Sequence, residues 1–210
     1  KCKVIVLERR WLNELSEWLP NGAEVINNPF EIEVESRIRE IGDELKIIML
    51  ARNSKDKGHD FAIDIAKELA SRGIKIELII TGMSRDATEK YIEGKIISKK
   101  WVSEIEKQVL IKDAHFMILP SKYEGSSMSI IEAMSNSLPV ISSPTSLETI
   151  GASELILPVT NSKAWADKII NLMEKEKYNH YCNIVYRQSK KYSPEEISNK
   201  WKRIYEEILQ

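Results

Sequence analysis

The amino-acid sequence predicts an α/β protein built on a doubly wound parallel sheet and finished by C-terminal helices. Three observations carry this. From about residue 46 onward, short β-rich runs alternate with helical stretches, the pattern of parallel βαβ units. Runs such as Ile47-Ile48-Met49-Leu50 and Phe116-Met117-Ile118-Leu119 are apolar at consecutive positions, so both sheet faces are expected to be covered. With 42% hydrophobic and 30% charged residues over 210 positions, the chain has the composition of a globular protein that buries a core.

Taken in order, the first 28 residues stand apart. A strand at 4–7, a helix at 11–18 and a short strand at 24–26 lead to Asn28-Pro29, where proline breaks regular structure. The charged stretch 31–42 reads either as a linker helix or as an ordinary surface helix. The main sheet is expected to use strands at 46–51, 75–81, 95–97, 116–119, 140–142 and 155–158. Between the first two, Phe61, Ile65 and Leu69 recur every four residues, with Asp64, Lys67 and Glu68 facing away, and Gly73 stops that helix. A further helix is expected over 130–135. In the tail, Trp165, Ile169 and Leu172 share one helical face. Ser193-Pro194-Glu195-Glu196 then opens a last helix carrying Ile197, Trp201, Ile204, Tyr205 and Ile208. The five tryptophans read mostly as packing, with Trp11 and Trp18 exposed where another domain would cover them. The resulting division is 1–28, a linker at 29–44, and a main domain at 45–210.

Charge and composition exclude several function classes. Lys+Arg 31 against Asp+Glu 32 leaves a net charge of -1, so no basic field marks nucleic acid as a partner. Cys2 and Cys182, at opposite ends, cannot build a disulfide framework, which fits a reducing cytoplasmic setting. No apolar run approaches the roughly 18 residues of a membrane span. The eight glycines never form Gly-x-Gly, and no P-loop occurs. His59, His115 and His180 lack metal-ligand spacing and read as helix-end or strand-end residues, and no Asp-x-Asp pair is present. No metal and no cofactor are expected.

In open α/β sheets, ligands bind beyond the carboxyl ends of the strands, so the residues just after each strand carry the information. Arg52 and Lys57 follow the first main strand, in Arg52-Asn53-Ser54-Lys55-Asp56-Lys57-Gly58. The segment from Ser121 to Ser129 is a polar loop running into a helix, whose N-terminal amides can receive an anion. A third hydroxyl-rich turn, including Thr145, follows at the same edge. Glu124 and Glu132 frame the middle loop and could hold two ends of one ligand; alternatively, Ser129-Ile130-Ile131-Glu132 is a capping box and Arg52 and Lys57 are solvated charges.

The run Glu124-Gly125-Ser126-Ser127-Met128-Ser129-Ile130-Ile131-Glu132, followed by Ala133-Met134 and Leu138-Pro139-Val140, resembles the Glu-x7-Glu signature of retaining glycosyltransferases of the GT-B fold, family 4 type. Ile118-Leu119-Pro120-Ser121, the Arg52 and Lys57-Gly58 pair, and Ile79-Ile80-Thr81-Gly82 match the same family in order, so the resemblance covers about 46–158. It implies a Rossmann-like C-terminal GT-B domain binding a nucleotide-diphosphate sugar donor of UDP or GDP type. Arg52 and Lys57 would neutralise the diphosphate, Glu124 would position the transferred sugar, and Glu132 would accept from ribose hydroxyls. Gly125, Ser126, Ser127 and Met128 would complete the phosphate cradle, with Gly82 and Thr145 at the same rim. Residues 1–28 would be the closing part of an acceptor domain, so donor binding is expected to exceed sugar transfer. A glycan or lipid-linked acceptor is implied, with peripheral membrane association of the full-length protein at the inner membrane face allowed. A non-catalytic nucleotide-sugar-binding or accessory subunit would use the same fold, and an epimerase is a more distant third. Ser126 and Ser127 stand where the family often has Phe and Gly, and Ser137 and Lys100 stand at frequent glycine positions, which leaves donor-sugar and base preference open.

Overall fold

The computed structural model describes residues 3–19, 21–32, 40–91 and 93–209. Near the start, β1 (Ile5–Val6) and β2 (Glu24–Val25) pair in parallel as a small sheet of their own. Between them lie α1 (Arg10–Glu14) and a 3-10 turn, Ser16–Trp18. The helix expected over 11–18 is therefore split, because Leu15 leaves helical geometry at φ -106° and ψ 12°. Residues 33–39 of the expected linker helix lie outside the described residues, and 31–32 and 40–42 beside them carry no helix.

The main sheet has six strands: β3 (Leu45–Met49), β4 (Ile76–Ile80), β5 (Ala87–Tyr91), β6 (Gly94–Ser98), β7 (Phe116–Leu119) and β8 (Val140–Ser142). Their spatial order is β5-β6-β4-β3-β7-β8, parallel throughout except that β5 runs antiparallel to β6. All of β7 and β8 and four of the five residues of β3 are buried, as consecutive apolar positions require when both faces are covered. Each apolar side chain among them contributes about 1.5 to 3 kcal/mol on burial.

Five helices alternate with these strands or follow them: α2 (His59–Ser71), α3 (Glu104–Asp113), α4 (Met128–Ser135), the short α5 (Leu147–Ile150) and α6 (Ser162–Leu172). Two more close the chain, α7 (Lys175–Ser189) and α8 (Pro194–Leu209). Ala62, Ile65, Ala66 and Leu69 form the buried stripe of α2, which packs against α6 with Phe61 edge-on to Trp165 at 5.6 Å between ring centroids. Helix α4 packs against α7, and Tyr178 of α7 meets Phe116 edge-on at 5.2 Å while donating to the His115 carbonyl at 2.7 Å.

Two readings of the sheet need correction. Residues 155–158 form no strand; a 3-10 turn, Ser153–Leu155, and a single bridge from Ile156 to Ser142 replace it. Leu155 is buried by that turn, and Pro158 has no N–H to extend a ladder. Strand β5 was not expected, because Ala87-Thr88-Glu89-Lys90-Tyr91 has three exposed central residues and is ordered by pairing with β6.

The chain lays β4 and β6 on one side of β3, then returns to place β7 and β8 on the other. The connectivity therefore reverses between β3 and β7. At that switch point the loops beyond the strand ends diverge and leave a crevice, which is where an open α/β sheet receives ligands.

Candidate functional site

A cavity of about 540 Å³ occupies this crevice, lined by Arg52 and Lys57 after β3, by Glu124, Ser126, Ser127 and Met128 after β7, and by Glu132 on α4. Distant segments meet there: Lys57 Nζ donates to Glu124 Oε1, 67 positions away, at 3.0 Å and to the Tyr123 carbonyl at 3.2 Å. Asp56 Oδ2 lies 3.6 Å from the same ammonium. Glu124 is only 7% exposed, so its partner matters: an unpaired carboxylate at this depth would be costly. Arg52 is exposed and makes no ion pair among the described residues, which leaves its guanidinium available at the rim.

Lys57 is aimed by backbone geometry. It ends a 3-10 turn, Lys55–Lys57, and Gly58 then takes φ 78° to start α2. A Cβ at Gly58 would stand 2.3 Å from the Pro120 carbonyl oxygen, so the β3 and β7 loops touch backbone to backbone at this glycine. Lys122 N–H donates to the Asp56 carbonyl at 2.7 Å, and Ser121 Oγ donates to it at 3.2 Å, locking the two loops together.

Helix α4 begins at Met128, with Ser127 as N-cap and no side-chain cap on its first amides. The helix starts two residues earlier than expected. Glu132 is therefore beyond the position a capping box requires, and that alternative does not describe it. The uncapped N-terminus faces a cavity lined by Ser126, Ser127 and Met128, and Ser126 Oγ is buried without a hydrogen-bond partner among the described residues. Unsatisfied helix amides beside a cation and an orphan hydroxyl form an anion site.

Glu132 is 7% exposed, and its Oε2 lies 2.6 Å from Lys107 Nζ on α3. The pair is an ion contact whose alignment does not make a hydrogen bond to that oxygen. Burial pushes the Glu132 carboxyl above its ordinary range, Lys107 pulls it back, and Glu104 adds to the rise. Lys107 itself is opposed by burial, yet Glu132 and Glu104 hold it above the usual lysine value. Lys107 escaped the sequence reading. The available signal was the capping pattern Ser103-x-x-Glu106, which opens α3 at this edge of the sheet; Glu106 N–H donates to Ser103 Oγ at 3.2 Å.

The other expected site residues stand outside the cavity lining. Gly82 has φ 76°, and a Cβ there would meet the Ala51 carbonyl oxygen at 2.0 Å, so its place is the close approach of the β4 and β3 loops. The Thr145 hydroxyl is 2.8 Å from Ser143 Oγ within its own turn. The Gly125 carbonyl accepts from Trp11 Nε1 at 3.1 Å, and Trp11 also meets Tyr123 edge-on at 5.9 Å. Trp11 is thus half-covered by the signature loop, whereas Trp18 is 81% exposed. At the departures from the signature, Ser137 adopts φ 58° and so does take the left-handed conformation in which glycine is favoured.

Comparison with known proteins decides the family. The sequence profile described as glycosyl transferases group 1 matches residues 31–189. The chain belongs to the glycosyl transferases group 1 family. It is 28% identical over 143 residues to EpsF of Bacillus subtilis, which carries a glycosyltransferase name, covering 64% of this chain and 37% of that protein. It is 24% identical over 217 residues to an uncharacterised glycosyltransferase of Methanocaldococcus jannaschii, covering 98% of this chain and 60% of that one. Among solved structures, a variant of TarM from S. aureus, crystallised with fondaparinux, α-GlcNAc-glycerol and UDP, superposes with a TM-score of 0.78 at 20% identity, over 97% of this chain and 43% of that one. The fold is that of GT-B glycosyltransferases, and the chain spans less than two thirds of the length of each of these proteins.

Proposed function

We propose that residues 45–210 form the donor-binding half of a retaining glycosyltransferase that moves a sugar from a nucleoside-diphosphate sugar to an acceptor hydroxyl. The observation that carries this reading is the single cavity at the β3/β7 switch point, where both signature glutamates, both upstream cations and an uncapped helix N-terminus converge. The presence of UDP in the TarM crystal supports a nucleoside diphosphate as the ligand. Residues 1–28 serve as the closing part of an acceptor unit and 29–44 as the linker; a glycan or lipid-linked glycan is the acceptor class.

In the proposed reaction the bond from the anomeric carbon to the diphosphate oxygen breaks, and a bond from that carbon to the acceptor oxygen forms on the same face. The nucleoside diphosphate leaves with the electron pair of the broken bond, and its phosphate takes the acceptor's proton. Arg52, Lys57 and the amides at the start of α4 stabilise the charge that grows on the leaving oxygen. Glu124, oriented by Lys57, accepts hydrogen bonds from the transferred sugar, and Glu132 accepts from the ribose hydroxyls. These side-chain charges are sufficient for the step without a metal ion.

Calorimetric titration with UDP, GDP and ADP, each beside its bare nucleoside, tests the reading. Arg52→Ala is expected to weaken the preferred nucleoside diphosphate by about 1 to 3 kcal/mol, the size of a charge-assisted contact, and to leave the nucleoside nearly unaffected. An equal loss for both ligands would remove the phosphate role.

A further inference from the structure

We infer that Lys107 is a positioning residue of the donor site, holding the Glu132 carboxylate ionised and oriented for the nucleotide. The inference rests on the proposed role of Glu132 as acceptor for ribose hydroxyls. Its basis is the arrangement of α3 against α4. Glu132 projects from α4 into the cavity at 7% exposure, and the Lys107 ammonium stands 2.6 Å from one of its oxygens. The same ammonium lies 2.9 Å from Glu104, one turn earlier on α3. Lys107 and Glu104 both line the cavity as well.

Stability alone does not account for this cluster. A buried ion pair adds little over an apolar pair of similar volume, and here two carboxylates share one cation beside an open cavity. The function of the pair is visible in what its loss would do. The charges acting directly on Glu132 are Lys107 and Glu104, while Arg52, Lys57 and Glu124 stand elsewhere on the cavity wall. Without Lys107, burial and the negative charge of Glu104 would act unopposed, and both favour the protonated carboxyl. A protonated carboxyl keeps one hydrogen to donate and loses the two-sided acceptor character that neighbouring ribose hydroxyls need. The Lys107 ammonium stands 2.6 Å from Glu132 and 2.9 Å from Glu104, so it links α3 to the helix that presents Glu132.

The test is the pH profile of ligand affinity for the full chain and its Lys107→Met variant, using UDP, GDP and ADP with inorganic pyrophosphate as a control. For the nucleotide bound best by the parent, Lys107→Met is expected to bind about tenfold to a hundredfold more weakly at neutral pH. The loss should deepen toward acid and shrink toward alkaline pH, because removing the cation moves the carboxyl's titration upward. Pyrophosphate, which has no ribose, should bind parent and variant alike at each pH. Lys107→Gln should repeat the Met result and Lys107→Arg should stay near the parent, which keeps the test intact should the Met variant fold poorly. Nucleotide affinity unchanged in Lys107→Met and Lys107→Gln would overturn the role of Lys107, as would a loss shared equally by pyrophosphate or one independent of pH. A Glu132→Gln variant separates the two levels: if it binds nucleotide as the parent does, the ribose role of Glu132 itself is wrong; if it loses nucleotide while Lys107→Met does not, only the positioning inference is.

Discussion

Glu8 is 1% exposed, although it lies only a few residues from the start of the chain. It accepts from Thr149 Oγ1 at 2.5 Å and faces Arg10 Nε at 3.0 Å. Burial raises its carboxyl above the ordinary glutamate range, against the lowering effects of Thr149 and Arg10. A carboxyl raised in the folded state holds its proton to higher pH there than in the unfolded chain. Its contribution therefore makes stability fall as pH rises through the window between the ordinary and the raised value. Glu132 adds a slope of the same sign. Glu8→Gln should flatten this decline, measured as the difference in urea midpoint between pH 5 and pH 8, and Glu132 should leave a residual slope. A decline as steep as the parent's would show that Glu8 is not the group responsible. Ser137 illustrates the opposite kind of legibility: its φ of 58° is anticipated by its position where the family commonly has glycine.

Among elements, α1 and the signature loop are the pair whose contact is least visible in the sequence. Trp11 donates to a carbonyl 114 positions away, and Arg10 lies over the Trp11 ring at 4.8 Å and over the Tyr123 ring at 5.9 Å. In a trans peptide the carbonyl and the following N–H point in opposite directions. Holding the Gly125 carbonyl on α1 therefore turns the Ser126 N–H away from α1. Trp11→Phe keeps an aromatic ring and removes the indole donor. Hydrogen exchange at the Ser126 and Ser127 amides should quicken in that variant while exchange in β3 and β7 stays the same. Unchanged exchange in the loop would mean that the indole bond does not restrain it. Strand β5 was hidden for a related reason, since its order comes from its partner strand and its own residues lack an apolar stripe.

Across the molecule, α8 packs on the small sheet. Ile197 and Ile204 are buried with Ile26, and Ile5, Trp201 and Ile208 pack around them, so the last helix covers the small sheet formed near the start of the chain. Phe30 N–H donates to the Tyr192 carbonyl at 2.8 Å just before α8 begins. The apolar stripe of this helix was evident from its periodicity, but its partner was not. Ile204→Ala should cost about 2 kcal/mol, the lower end for an isoleucine truncation because the cluster is small. Limited proteolysis should then cut first in α8 and around β1 and β2, leaving the six-stranded core resistant. Cleavage that begins in the core strands would show that the two sheets unfold together. Among the described residues no helix is long and apolar enough to cross a membrane.

Local spacing was enough to read the parallel strands, the stripes of α2, α6 and α8, and the loops that carry Arg52, Lys57, Glu124 and Glu132. Those features are legible because periodicity, proline and glycine act over a few residues, and because a buried strand needs apolar side chains at successive positions. The pairing of Lys57 with Glu124, of Lys107 with Glu132 and of Trp11 with Gly125 came from the packed chain. Each joins distant segments through the strand order and the start of α4, and no interval along the sequence encodes such a contact. The same physics explains the two misread edges of the sheet: a strand exists through the neighbour it bonds to, so polar residues 87–91 form one beside β6, whereas apolar residues 155–158 make only a bridge.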